Sequence, residues 1–145
     1  MAAAKRTLAD AWARLGDIGR CALIGGAVVL PLRRRDWNGS FDALTAVLIS
    51  SATCKAIKPF VPERRPNRED SNSFPSQHAA ECFAAGLALR RYFGEPTGAA
   101  AIGVATLVAM SRLFARKHWT IDVVAGIAIG AASVMAVEAY EGTSA

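Results

Sequence analysis

The chain has 145 residues, of which 52% are hydrophobic, 20% charged and 8% aromatic. That length suits one domain, residues 1–145. A mean hydropathy of +0.24, with abundant Ala and Gly, argues against an ordinary soluble chain and for helices packed closely through small residues, as in membrane bundles. The net charge of +5 fits nucleic acid, an anionic membrane surface or an anionic substrate. Nucleic acid is the poorest fit, because the cations fall at the ends of apolar runs or in compact clusters, without an interleaved stripe of aromatics and Arg. No nucleic-acid partner is expected.

In chain order, Leu8, Trp12, Leu15 and Ile18 recur at helical spacing, with Lys5, Arg6, Asp10 and Arg14 elsewhere around the helix. Residues 1–17 therefore predict an amphipathic helix, able to lie at a lipid interface or to cap a bundle. No continuous apolar core of a signal peptide is present there, so no cleavage is expected. Five helix-length apolar segments follow, at 18–32, 41–57, 79–89, 98–114 and 121–137. Several are short of the roughly 20 residues of a full span. No β-type alternation competes. Pro59, Pro62, Pro66 and Pro75 break the connection 58–77, and Gly94-Glu95-Pro96 breaks a shorter one. The expected fold is all-α: a membrane bundle of about five spans over 18–140, preceded by the amphipathic helix.

Arg33-Arg34-Arg35 follows the first segment and Arg90-Arg91 the third. The positive-inside rule places both loops in the cytoplasm and the N-terminus and the connections after the second and fourth segments outside. Outward cations such as Lys58, Arg64 and Arg116 are discounted in this assignment, because chemistry at that face needs several of them. Cys21, Cys54 and Cys82 fit neither a zinc site nor a disulfide framework and are expected to be small packing residues.

Three polar clusters interrupt these segments. Lys58 is followed by Arg65-Pro66; Pro75-Ser76-Gln77-His78 opens the third segment; Ser111-Arg112, His118 and Asp122 bridge the fourth and fifth. His118 and Asp122 are four apart, so on a helix they share a face. A carboxylate on one imidazole nitrogen fixes the tautomer and frees the other to attack; the same pair could simply cap a helix. His78 suits a proton donor to a leaving group, or an ordinary helix start. Ser76 suits an N-cap, so the amides of Ser76, Gln77 and His78 would face an anion. Lys58, Arg65 and Arg112 supply charge for a phosphoryl group, or a basic connection meeting anionic headgroups. Arg112 speaks for the first, since an unpaired charge closing an apolar run is costly.

Jointly, KPFVPERRP, PSQH and SRLFARKHWTID resemble the type 2 phosphatidic acid phosphatase family, also called PAP2 or lipid phosphate phosphatases. The motifs cover residues 58 to 122. The resemblance implies a helical fold and a metal-independent phosphohistidine mechanism without cofactor. His118 would be the nucleophile, Asp122 its orienting partner and His78 the general acid; Lys58, Arg65, Ser76, Gln77 and Arg112 would bind the phosphate. Two departures stand out: Gln77 occupies a position that is usually Gly, and membrane members often have six spans. The expected partners are a phosphorylated lipid and membrane lipids, at the outer face of a cytoplasmic membrane. Phosphatidic acid, phosphatidylglycerol phosphate, an isoprenyl diphosphate and lipid A all suit the pattern. The alternatives are a soluble relative, like acid phosphatases and vanadate-dependent haloperoxidases, and a non-catalytic lipid-binding protein.

Overall fold

The computed structural model describes the backbone of residues 2–144 and the side chains of 7–143. Lys5 and Arg6 of the expected polar face thus lie outside the described side chains. The elements are α1 (Ala2–Arg33), α2 (Trp37–Ile57) with a 3-10 turn (Lys58–Phe60), α3 (Gln77–Phe93), α4 (Thr97–Phe114) and α5 (Thr120–Ser144). No strand occurs among the described residues. The amphipathic stretch and the first apolar segment are one continuous helix, α1, rather than two elements. No Gly-Pro break separates them, and Pro31 falls only in the last turn.

Local chemistry sets the helix ends. Asp36 accepts the Gly39 N–H at 2.9 Å and starts α2. Ser76 accepts from Ala79 N at 3.5 Å and starts α3. Gly94, at φ 62°, ends α3, with its N–H on the Arg90 carbonyl at 2.8 Å.

The central helix is α3, which packs against α1, α2, α4 and α5. Among the described residues, four stretches are long and apolar enough to cross a membrane: Thr7–Arg33, Trp37–Phe60, Thr97–Phe114 and Thr120–Thr143. The fifth segment, α3, has 17 residues and carries Glu81, buried and paired with Arg20 of α1. A helix enclosed by its neighbours can be short and partly polar, because little of it meets lipid.

The packing is small inside and large outside. Ala27, Ala46, Ala80, Ala84, Ala85 and Ala105 are buried, whereas Ile18, Leu48, Leu107, Ile121 and Met135 are exposed. Continuous large apolar surface of this kind is a membrane-facing feature, and close backbone approach through small residues holds such bundles together. At α5, a Cβ on Gly126 would fall 2.4 Å from the Ser76 carbonyl oxygen, and one on Gly130 would fall 2.4 Å from the Ala80 carbonyl oxygen. Helix α5 therefore lies directly on the backbone of α3. Cys54 and Cys82 pack fully buried as free thiols, as expected; Cys21 lies on the exposed side of α1.

Candidate active site

The third cluster folds around a turn. At the end of α4, Lys117 N donates to the Arg112 carbonyl at 2.9 Å and His118 N to the same oxygen at 3.4 Å. This curls 115–119 back before α5 begins. Asp122 lies in the first turn of α5, and its Oδ2 accepts the Trp119 N–H at 2.8 Å, the back-reaching half of a capping box. The same Oδ2 accepts from the Ser73 hydroxyl and lies 3.4 Å from His118 Nδ1. Asp122 is fully buried and His118 is 5% exposed. The helix-capping and imidazole-orienting readings of this pair are thus not rivals: one carboxylate oxygen serves both.

With Nδ1 turned to Asp122, His118 Nε2 is the nitrogen left for chemistry. Burial lowers the imidazole pKa well below its ordinary 6.5; the charges of Arg65 and Lys58 add to this, and Asp122 opposes them. Asp122 Oδ1 has no hydrogen-bond partner among the described residues. Glu63 lies beside this carboxylate, and burial and the Asp122 interaction raise its pKa.

The first cluster is anchored on the connection 61–76. Lys58 Nζ donates to the carbonyls of Asn72, at 2.8 Å, and Pro75, at 3.0 Å. Arg65 Nε donates to Asp70 Oδ1 at 2.7 Å. Asn67 N donates to the Arg116 carbonyl at 3.0 Å, tying this connection to the turn that carries His118. Beside Arg65 opens a cavity of about 860 Å³, lined by Arg64, Arg68, Arg116, Lys117 and Trp119, and by the carboxylates of Glu69 and of Asp10 in α1. Arg68 (φ 63°) and Arg116 (φ 55°) both hold left-handed backbone there, a strain of about 1–3 kcal/mol each that surrounding contacts must offset.

The second cluster opens α3. Ser76 is fully buried, and its N–H donates to the Asp122 carbonyl at 3.0 Å. The amides of Gln77 and His78 belong to the first turn of α3, which lacks intrahelical carbonyl partners. The Gln77 side chain turns into the bundle, donating to Ser51 Oγ at 2.9 Å and Glu81 Oε1 at 2.7 Å. His78 Nε2 lies 2.8 Å from Asp17 Oδ1 of α1, and Arg112 Nη1 donates to the same oxygen at 3.0 Å.

Of the eight residues singled out in the sequence, His118, Asp122, Lys58 and Arg65 form one group, and His78 and Arg112 meet over Asp17 in an adjoining one. The Ser76 amide, expected to face an anion, is instead bonded to the Asp122 carbonyl, and the Gln77 side chain points away to Ser51 and Glu81. The Ser76 amide and the Arg112 carbonyl join the two groups through the backbone. Sequence reasoning missed Ser73, Glu63 and Asp17. Ser73 is one polar residue among many in 67–73, and Asp17 is one of several charges on an amphipathic stretch, so no local signal marks either.

The family model described as the PAP2 superfamily matches residues 39–143. The decaprenylphosphoryl-5-phosphoribose phosphatases of Mycobacterium tuberculosis strains CDC 1551 and H37Rv are each 32% identical to this chain over 115 residues, covering 73% of it. The chain spans 62% of the length of these relatives. The crystal structure of Aquifex aeolicus LpxE superposes with a TM-score of 0.78 at 19% identity, covering 92% of this chain and 87% of that one, a likeness of fold. On its sequence match and its fold, the chain belongs to the PAP2 superfamily.

Proposed function

We propose that this protein is a membrane phosphatase that hydrolyses a lipid phosphate or diphosphate through a phosphohistidine at His118. The observation that carries this reading is the buried pair of His118 and Asp122, with Lys58 and Arg65 near enough to act on the imidazole. In the first step, His118 Nε2 attacks phosphorus and the bond to the lipid oxygen breaks, with His78 delivering a proton to that leaving oxygen. In the second, water attacks phosphorus, His78 takes its proton, and the N–P bond breaks to release inorganic phosphate. Asp122 stabilises the positive charge that His118 acquires. Lys58, Arg65, Arg112 and the first-turn amides of α3 hold the charge that develops on the phosphoryl oxygens.

Metal independence belongs to the same proposal. Among the described residues no three His, Cys, Asp or Glu side chains gather as a ligand set, and the fixed cations already supply the charge a metal would bring. The named activity of the mycobacterial relatives supports a lipid-linked substrate, and the basic cavity beside Arg65 suits an anionic headgroup. We place the protein in the cytoplasmic membrane with the site facing outward, on the strength of the basic loops at 33–35 and 90–91.

The test is release of inorganic phosphate from a panel of lipid phosphates and diphosphates in detergent, with EDTA present. Wild type should turn over at least one, and His118→Ala should lose more than about a thousandfold in kcat while remaining folded. Activity of His118→Ala within about tenfold of wild type removes the phosphohistidine. Strict dependence on added magnesium overturns the mechanism. Release of the chain from membranes by a carbonate wash overturns the membrane placement.

A further inference from the structure

Helix α1 reaches into the site with a residue that the family match, over 39–143, does not include. Its Asp17 carboxylate lies on both His78 Nε2, at 2.8 Å, and Arg112 Nη1, at 3.0 Å, through the single oxygen Oδ1. The rest of the guanidinium is engaged as well. Nη2 donates to the Ala13 carbonyl and, at 3.5 Å, to that of Trp12, and Nε donates to Ser111 Oγ at 3.2 Å.

This approach is built into the sequence of α1. A Cβ on Gly16 would fall 2.0 Å from Arg112 Nη2 and 2.1 Å from Ser111 Oγ, so a side chain there would displace either the guanidinium or the helix. Trp12 packs on Phe114 with ring centroids 4.9 Å apart and fixes the helix one turn earlier. The Arg112 side chain is 4% exposed, whereas that of Asp17 is 58% exposed. The cation is therefore held in place, and the carboxylate has room to leave.

We infer that Asp17 is a positioning residue that occupies the phosphate position between Arg112 and His78 and is displaced by the substrate phosphate. The inference rests on the phosphatase reading for the identity of that anion. A carboxylate presents the same oxygen acceptors to an Arg fork as a phosphate does, and two anions on one guanidinium repel each other. In the resting protein Asp17 holds Arg112 and His78 in register and neutralises part of the Arg112 charge. On binding, the phosphate takes over both contacts and Asp17 turns toward solvent. Asp17 therefore competes with every phosphate-like ligand and sets the affinity of the site.

The test is direct binding of vanadate and of inorganic phosphate, measured by calorimetry on purified protein in detergent, so that it needs no turnover. Asp17→Asn keeps the shape and removes the charge, and should bind vanadate about fivefold tighter than wild type, with a matching fall in KM, the scale of one partly exposed ion pair. Asp17→Glu keeps the charge and should stay within about twofold of wild type. Unchanged or weaker binding by Asp17→Asn, with loss confined to kcat, overturns the competitor role. Absence of vanadate binding in both forms overturns it as well. Tighter binding by Asp17→Asn in a protein that turns over no lipid phosphate supports the role of Asp17 and overturns the phosphatase reading instead.

Discussion

The Ser76 N–H donates to the Asp122 carbonyl at 3.0 Å, so the cap of α3 and the first turn of α5 form one unit. Through this bond, the residue preceding Gln77 and His78 is held against the residue whose carboxylate lies 3.4 Å from His118 Nδ1. The connection 61–76 adds a side-chain tie, because the Ser73 hydroxyl donates to the Asp122 carboxylate.

The pH dependence follows from the burial of His118. In the proposed mechanism only the neutral imidazole attacks phosphorus, and burial, with Arg65 and Lys58, lowers its pKa well below 6.5. Neutral His118 thus persists into acid, and the acid limb of kcat/KM should fall below pH 6.5. The unfolded chain takes up this proton at higher pH than the folded one, so stability should also decline as pH drops through that range. Arg65→Gln removes one cation that disfavours the imidazolium and should move the limb upward. A limb that stays in place in the variant would show that another group sets it.

Gln77→Gly should act on stability rather than on substrate choice. The side chain bridges α3 to Ser51 of α2 and supports the buried Glu81, whereas the amide remains in the variant. Loss of these two hydrogen bonds should cost about 1–3 kcal/mol, read as a lower Tm in detergent, with the ratio of kcat/KM between two lipid phosphates kept. A shift in that ratio beyond about tenfold at unchanged Tm would assign the side chain to specificity.

Gly126→Ala should damage the site from a distance. The added Cβ meets the Ser76 carbonyl oxygen at 2.4 Å, and overpacking of this kind costs about 1–3 kcal/mol. Helix α5 must shift from α3, loosening the bond between Ser76 and Asp122. Both Tm and kcat should fall, whereas Gly103→Ala, in open space, should leave both unchanged. Equal behaviour of the two variants would count against the tie between α3 and α5.

Topology can be read with single cysteines in a background lacking Cys21, Cys54 and Cys82. Arg34 lies over the Phe93 ring, 4.3 Å from its centroid, so the loops after α1 and α3 share one end of the bundle. Asn38 and Asn72 are both exposed. An impermeant thiol reagent on intact cells should label Asn72→Cys and spare Asn38→Cys; the opposite pattern reverses the proposed orientation.

What the sequence by itself determined is what local chemistry controls. Apolar runs bounded by Pro and Gly place five helices, and the expected 98–114 differs from Thr97–Phe114 by one residue. The spacing of His118 and Asp122 brings them together because the first turn of α5 and its cap are local structure. Tertiary structure alone decided the rest. Asp17 reaches His78 across 61 positions and Arg112 across 95, and that meeting depends on Gly16 letting α1 lie against α4. Gln77 turns inward because Ser51 of α2 and Glu81 offer acceptors there. Helix α3, the shortest and among the most polar of the five, became the centre because its Ala-rich faces admit close neighbours on every side. Periodicity reports which residues share a face, whereas the partner of that face is set by shape and by buried polar groups that must be satisfied across the bundle.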